Sequence, residues 1–160
     1  MLESPTALLL AREIATAPPR MAGLTLGMED YATAMGGTPN ADLLRPACYQ
    51  ITQAARAAGI APLAVPASMA NFRDAEEMES AAGWARRIGA VGSFAVHPVQ
   101  VEMLNRFFAP SEEKIAWAHR VVEAAARAKR EGAGVFPVDG KMVDLPIITR
   151  AHDIIGREAG

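Results

Sequence analysis

Four places along the chain put a reactive side chain just after an apolar run. Glu3 follows Met1-Leu2, and Asp30 follows Leu24-Thr25-Leu26-Gly27. Ser68 and Asn71 follow a run that ends at Val65, and His97 follows Phe94-Ala95-Val96. If those runs are parallel strands, these positions are their carboxyl ends, where α/β folds gather reactive groups. Two carboxylates at neighbouring strand ends can share a hard divalent cation. Mg²⁺ takes oxygen ligands and usually accepts one or two protein carboxylates, with water and substrate completing its octahedron. The plainer alternative makes Glu3 a solvated residue and Asp30 the cap of a turn. His97-Pro98 offers a base, or else a hydrogen-bonded residue that orients its loop. His119 and His152 fall on helices with no ligand partner at i+3 or i+4. Asp139 and Asp144 flank Gly140-Lys141-Met142-Val143, where turn chemistry and helix capping explain both.

Helical and strand-like segments alternate around these residues. Apolar residues recur at helical spacing from Pro5 to about Ala17, and Pro18-Pro19 stop the run. Met21 to Gly27 reads as a buried strand. Gly36, Gly37 and Pro39 mark a loop, and Leu43 to Ala58 a helix capped by Gly59. Ile60 to Val65 and Val91 to Val96 read as further strands. Between them Asp74 opens a helix to Ile88, with Glu77 at capping-box spacing. A short helix runs from Pro98 to Phe107. Ser111 caps a long one ending near Glu131, and Glu112 and Glu113 suit its positive end. Gly132 to Gly140 reads as a loop or short extended piece, and Leu145 to Glu158 as a last helix. Trp84 and Trp117 sit at core spacing. The alternation predicts an α/β fold of parallel βα units.

Composition removes several classes of function. The chain has 160 residues, a formal net charge of −2 and 51% hydrophobic residues. A pI near 5.9 argues against nucleic acid, since no row of cations faces a phosphate backbone. The densest basic stretch, Arg127-Ala128-Lys129-Arg130, suits a helix carboxyl end. One cysteine, Cys48, rules out an intrachain disulfide framework and a cysteine-based zinc site. No apolar run reaches the roughly 18–20 residues of a membrane span. Glu3 and Arg12 around Leu8-Leu9-Leu10 do not make a signal peptide, so the expected location is cytoplasmic. Neither a Gly-x-Gly-x-x-Gly turn nor a phosphate-binding loop is present.

Several stretches taken together resemble the citrate lyase β-subunit-like family of the HpcH/HpaI aldolases. They begin with Glu3-Ser4-Pro5 and Leu24-Thr25-Leu26-Gly27-Met28-Glu29-Asp30-Tyr31. They continue through Ala54-Ala55-Arg56-Ala57-Ala58-Gly59, Asn71-Phe72-Arg73-Asp74 and Ala85-Arg86-Arg87-Ile88-Gly89. They end with Val96-His97-Pro98-Val99-Gln100, Phe107-Phe108-Ala109-Pro110-Ser111 and Asp139-Gly140-Lys141-Met142-Val143-Asp144-Leu145-Pro146. The resemblance implies a (β/α)8 barrel that makes or breaks a carbon–carbon bond beside a CoA thioester carbonyl. Malyl-CoA, citramalyl-CoA or citryl units give an acetyl thioester and a 2-oxo acid. It places the family's Mg²⁺ ligands on Glu3 and Asp30. It places a third carboxylate, which handles a proton in a neighbouring subunit's site, on Asp144.

A complete (β/α)8 barrel typically needs ~250 residues, with ~200 a practical floor. The resemblance therefore implies a partial TIM-type barrel, roughly strands 5–8 with their helices, over residues 1–109. Residues 110–160 would form a C-terminal helical extension. The family's substrate-binding arginine belongs to the absent strands, and Arg12, Arg20 and Arg45 sit at helix or loop positions. The expected partners are a CoA thioester, a 2-oxo acid and either copies of this chain in a trimer-based assembly or a chain carrying the N-terminal half. The isolated chain is expected to be inactive. A non-catalytic remnant, or a CoA-binding or interaction subunit, is the alternative.

Overall fold

The computed structural model describes residues 1–17, 20–71 and 73–158, which divide into two compact units. The first is Met1–Phe108 and the second begins at Ala109.

In the first unit the chain enters through Leu2, only 2% exposed, which forms a parallel bridge with Leu26. Ser4 then caps helix α1 (Pro5–Leu9), its Oγ accepting the Ala7 N–H at 3.2 Å, with Pro5 in the first turn. The single helix expected from the periodicity breaks at Leu10 and resumes as α2 (Ala11–Thr16). The expected Pro18-Pro19 stop lies outside the described residues. Strand β1 (Gly23–Thr25) leads through Gly27 into α3 (Met28–Ala34). This short helix was not foreseen, because Gly27 supplies no side-chain cap. Asn40 caps α4 (Ala41–Ala57), its side chain accepting the Leu43 N–H at 3.1 Å. Strand β2 (Ala61–Leu63) pairs in parallel with β1, Leu24 opposite Pro62. Asp74 caps α5 (Ala75–Arg87) through the Glu77 N–H, and α6 (Pro98–Phe108) closes the unit.

The buried faces follow the apolar spacing. Leu2, Leu24, Leu26, Leu44, Cys48 and Ile51 form one cluster under α4. Val65, Met78, Ala82, Ala85, Leu104 and Phe107 form another between α5 and α6. Burying each large apolar side chain stabilises the fold by about 1.5–3 kcal/mol.

The expected strand Val91–Val96 needs correction. Only its first residue joins the ladder, the Val91 N–H donating to the Pro62 carbonyl at 2.9 Å. The segment has no strand pairing beyond that bond among the described residues. Pro62 has no N–H to return to this neighbour, and Phe94 and Val96 are 51% and 68% exposed. An apolar run without a packing surface does not hold a strand.

In the second unit, Ser111 caps α7 (Glu112–Arg130). A hairpin follows, β3 (Phe136–Val138) against β4 (Lys141–Val143), and then α8 (Leu145–Glu158). Its turn is Asp139-Gly140, both at positive φ (50° and 74°), the backbone of a two-residue type I′ connection. The short extended piece expected between Gly132 and Gly140 is β3, and it pairs with β4. Ala118, Val121, Val138, Val143 and Ala151 form the core of the unit.

Candidate functional site

Backbone pairing at the carboxyl ends of the strands sets the geometry. The Leu2 N–H donates to the Thr25 carbonyl at 2.8 Å, and the Gly27 N–H donates to the Leu2 carbonyl at 2.7 Å. Glu3, the next residue, is thereby set beside Gly27. A Cβ built on Gly27 would lie 2.5 Å from Glu3 Cγ and 3.2 Å from its Oε1. Gly27 is thus the cradle over which the Glu3 side chain lies.

Gly27 is also the N-cap of α3, so Met28, Glu29 and Asp30 fill the first turn of that helix. Carboxylates there are favoured by the helix dipole. Glu3 and Asp30 therefore stand at the same end of adjacent parallel segments, both exposed, one on each. Asp144 belongs to the second unit. It is exposed directly before α8, and its carbonyl accepts the N–H groups of Ile147 and Ile148 at 3.1 and 3.0 Å.

The spacing argument does not reach two residues, Glu29 beside Asp30 and Gln100. Glu29 Oε1 accepts a hydrogen bond from Ser68 Oγ. Ser68 is 6% exposed, and its Oγ also accepts the Ala70 N–H at 3.2 Å. Gln100 is wholly buried. Its Oε1 accepts the N–H groups of Val96 and His97 at 2.9 and 3.1 Å, while Nε2 donates to the Met69 carbonyl at 3.0 Å. Reciprocally, His97 Nδ1 accepts the Val99 N–H at 3.2 Å. His97-Pro98-Val99-Gln100 is therefore a variant of the capping box, in which Gln100 bonds back to the His97 N–H and the histidine takes the Val99 N–H, one residue short of the usual partner. That spacing was the readable signal for Gln100, and it gives His97 the loop-orienting role.

The other candidates have structural partners. Asn71 Nδ2 donates to Glu77 Oε2 at 3.3 Å and lines, with Ala70, Arg73 and Asp74, an open cleft of about 580 Å³. Asp139 pairs with Arg120 at 2.8 Å, which raises the pKa of the guanidinium. Trp84 and Trp117 are half-buried under Arg45 and Arg150, whose guanidinium carbons lie 5.7 and 5.5 Å from the ring centroids. His119 and His152 are exposed on α7 and α8. Burial pushes the Cys48 thiol up to about 12, so it is no nucleophile. Arg12 and Arg45 lie on α2 and α4.

The donor set suits a hard cation with few protein ligands. Glu3 and Asp30 supply carboxylate oxygens. Among the described residues no group of three or more His, Cys, Asp or Glu side chains is arranged to hold a metal. A carboxylate pair completed by water and substrate is the usual arrangement for Mg²⁺, not for zinc.

Residues 1–98 match the family model described as HpcH/HpaI aldolase/citrate lyase. The chain belongs to the HpcH/HpaI aldolase/citrate lyase family. It is 38% identical over 159 residues to the citrate lyase subunit beta of Haemophilus influenzae, covering 98% of this chain and 54% of that protein. It is 33% identical over 174 residues to the L-malyl-CoA/beta-methylmalyl-CoA lyase of Rhodobacter capsulatus, covering 97% of this chain and 54% of that protein. Both relatives are lyases by name. CitE from Mycobacterium tuberculosis, solved in complex with magnesium, acetoacetate and coenzyme A, superposes with a TM-score of 0.77 at 32% identity. That superposition covers 98% of this chain and 59% of CitE. The chain spans about half the length of the curated relatives it matches. Among the described residues no helix is long and apolar enough to cross a membrane.

Proposed function

We propose that this chain contributes the metal-binding half of a Mg²⁺-dependent carbon–carbon lyase acting on a 3-hydroxyacyl-CoA thioester such as malyl-, citramalyl- or citryl-CoA. The observation that supports this reading is that Glu3 follows Leu2, which is bridged in parallel to Leu26, and lies over Gly27, the residue that opens the helical turn carrying Asp30. On this reading residues 1–109 form the C-terminal half of the barrel, roughly strands 5–8. Residues 110–160 are its helical extension.

The reaction breaks the bond between the carbon beside the thioester carbonyl and the carbon bearing the hydroxyl. The hydroxyl loses its proton and becomes the carbonyl of a 2-oxo acid. The electron pair passes to the acetyl thioester as an enolate, which takes up a proton. Bound Mg²⁺ would supply Lewis-acid stabilisation at the oxo-acid oxygens. Glu3 and Asp30 would hold that ion and, through it, orient that end of the substrate. Asp144, carried beside the exposed Met142 and Leu145, would deliver the proton to the acetyl carbon. It would do so in the site of a neighbouring copy, within a trimer-based assembly.

A second reading, which the coenzyme A complex of the 32%-identical CitE supports equally, makes it a CoA-binding or interaction subunit without turnover. Acetyl-CoA release from the three thioesters, with Mg²⁺, separates the two. The first reading expects negligible turnover by the chain alone. It expects turnover with a polypeptide supplying the remaining half of a relative, lost again in Asp30→Asn. A complex that forms and binds CoA without turnover supports the second.

A further inference from the structure

We propose that Glu29 is a positioning residue, which through Ser68 fixes the first turn of α3 and hence the aim of Asp30. The inference rests on the metal reading above and adds a role within it.

Glu29 and Asp30 are consecutive, yet they face different tasks. On a helix, neighbouring residues point about 100° apart, so two adjacent carboxylates in one turn do not converge on one point. The structure commits Glu29 Oε1 to Ser68. The hydroxyl has one proton. Its oxygen already accepts the Ala70 N–H, so that proton is directed at Glu29. Ser68 is nearly buried and lies in the loop after β2, 39 residues further along the chain. The bond therefore ties the first turn of α3, which follows β1, to the loop that follows the neighbouring strand. Gln100 holds the next residue of that loop, Met69, through its carbonyl. The loop is thus held by a second, buried side chain, and α3 is anchored to a fixed point. Outer partners that orient metal-binding carboxylates commonly change metal affinity when removed.

Charge and hydrogen bonding can be separated at Glu29. Glutamine keeps an oxygen that accepts the Ser68 proton and loses the charge. Alanine loses both. At residue 68, threonine keeps the hydroxyl and alanine removes it.

The test is Mn²⁺ binding to the full chain, read as the loss of the free-ion electron paramagnetic resonance signal, with thermal unfolding followed on each variant. The proposal expects Ser68→Ala and Glu29→Ala each to weaken binding about tenfold. It expects the double variant to be no weaker than either. It expects Ser68→Thr and Glu29→Gln to stay within twofold of the parent. Glu29→Gln as weak as Glu29→Ala would make Glu29 a ligand by its charge and overturn the proposal. So would unchanged binding in Ser68→Ala when Asp30→Asn abolishes it, which leaves the metal reading intact. A parent chain that takes up no Mn²⁺ overturns the metal reading, and the positioning role with it.

Discussion

Glu3 lies so close over Gly27 that the smallest side chain added there would overlap its Cγ at 2.5 Å. Gly27 has φ −85°, so alanine meets no backbone strain, and the nearest atoms to its Cβ belong to the Glu3 side chain and the Met1 sulfur, not to backbone. Gly27→Ala should therefore keep the fold and displace Glu3. Mn²⁺ affinity is expected to fall about tenfold with the melting temperature little changed. Unchanged affinity would remove Glu3 from the ligand set.

Gln100 holds two backbone donors and one backbone acceptor while wholly buried. Gln100→Ala removes three hydrogen bonds, each contributing about 0.5–1.5 kcal/mol. The expected loss is about 3 kcal/mol, or ~10 °C in melting temperature for a chain of this size. Gln100→Glu should fail similarly, because a carboxylate cannot donate to the Met69 carbonyl. Calorimetry on both variants checks this, and parent-like melting of Gln100→Glu would contradict it.

Cys48 carries a pH dependence. Its thiol titrates near 12 in the folded chain against 9.0 for an ordinary thiol, because burial disfavours the thiolate. The folded protein thus retains the proton that the unfolded chain gives up. The stability is fully present below pH 9 and is lost as pH rises from 9 towards 12. A thiol reagent at pH 8 should label Cys48 only after denaturant is added. Rapid labelling of the native chain would mean that α4 opens locally.

The hairpin of the second unit depends on Gly140 more than on its ion pair. Gly140 has φ 74°, and alanine there should cost about 1–2 kcal/mol. Arg120 and Asp139 are about half exposed, and such pairs contribute little. Asp139→Asn, which also tolerates positive φ, should melt like the parent. Urea titrations that ranked these two variants the other way would show that the charge, not the backbone, holds the turn.

The sequence carries the helices best where a cap residue stands at the right offset, as with Asp74 and Ser111, because capping is local chemistry. The helix α3 is hidden because its cap is the backbone of Gly27, whereas turn chemistry at Asp139-Gly140 is legible but not the pairing of the strands on either side of it. The strand at Val91 was overread, since an apolar run does not reveal whether a second edge is there to pair with. Glu3 and Asp30 were legible as carboxylates closing apolar runs. The hold of Ser68 on Glu29 was not, since it joins residues 39 apart and depends on β1 and β2 pairing first.

The two-residue connection between β3 and β4 also bears on the order in which the chain acquires structure. The second unit joins α7, the hairpin and α8, which follow one another directly, so no long loop needs closing. In the first unit β1 must find β2 across α3 and α4, Thr25 meeting Leu63. Contacts between near neighbours form fastest, with hairpins closing in about 1–10 μs. In pulsed amide exchange during refolding, protection should reach Val138 and Val143 before Leu24 and Pro62's neighbour Val91. Of the two units, the one nearer the carboxyl end would then be the first to settle.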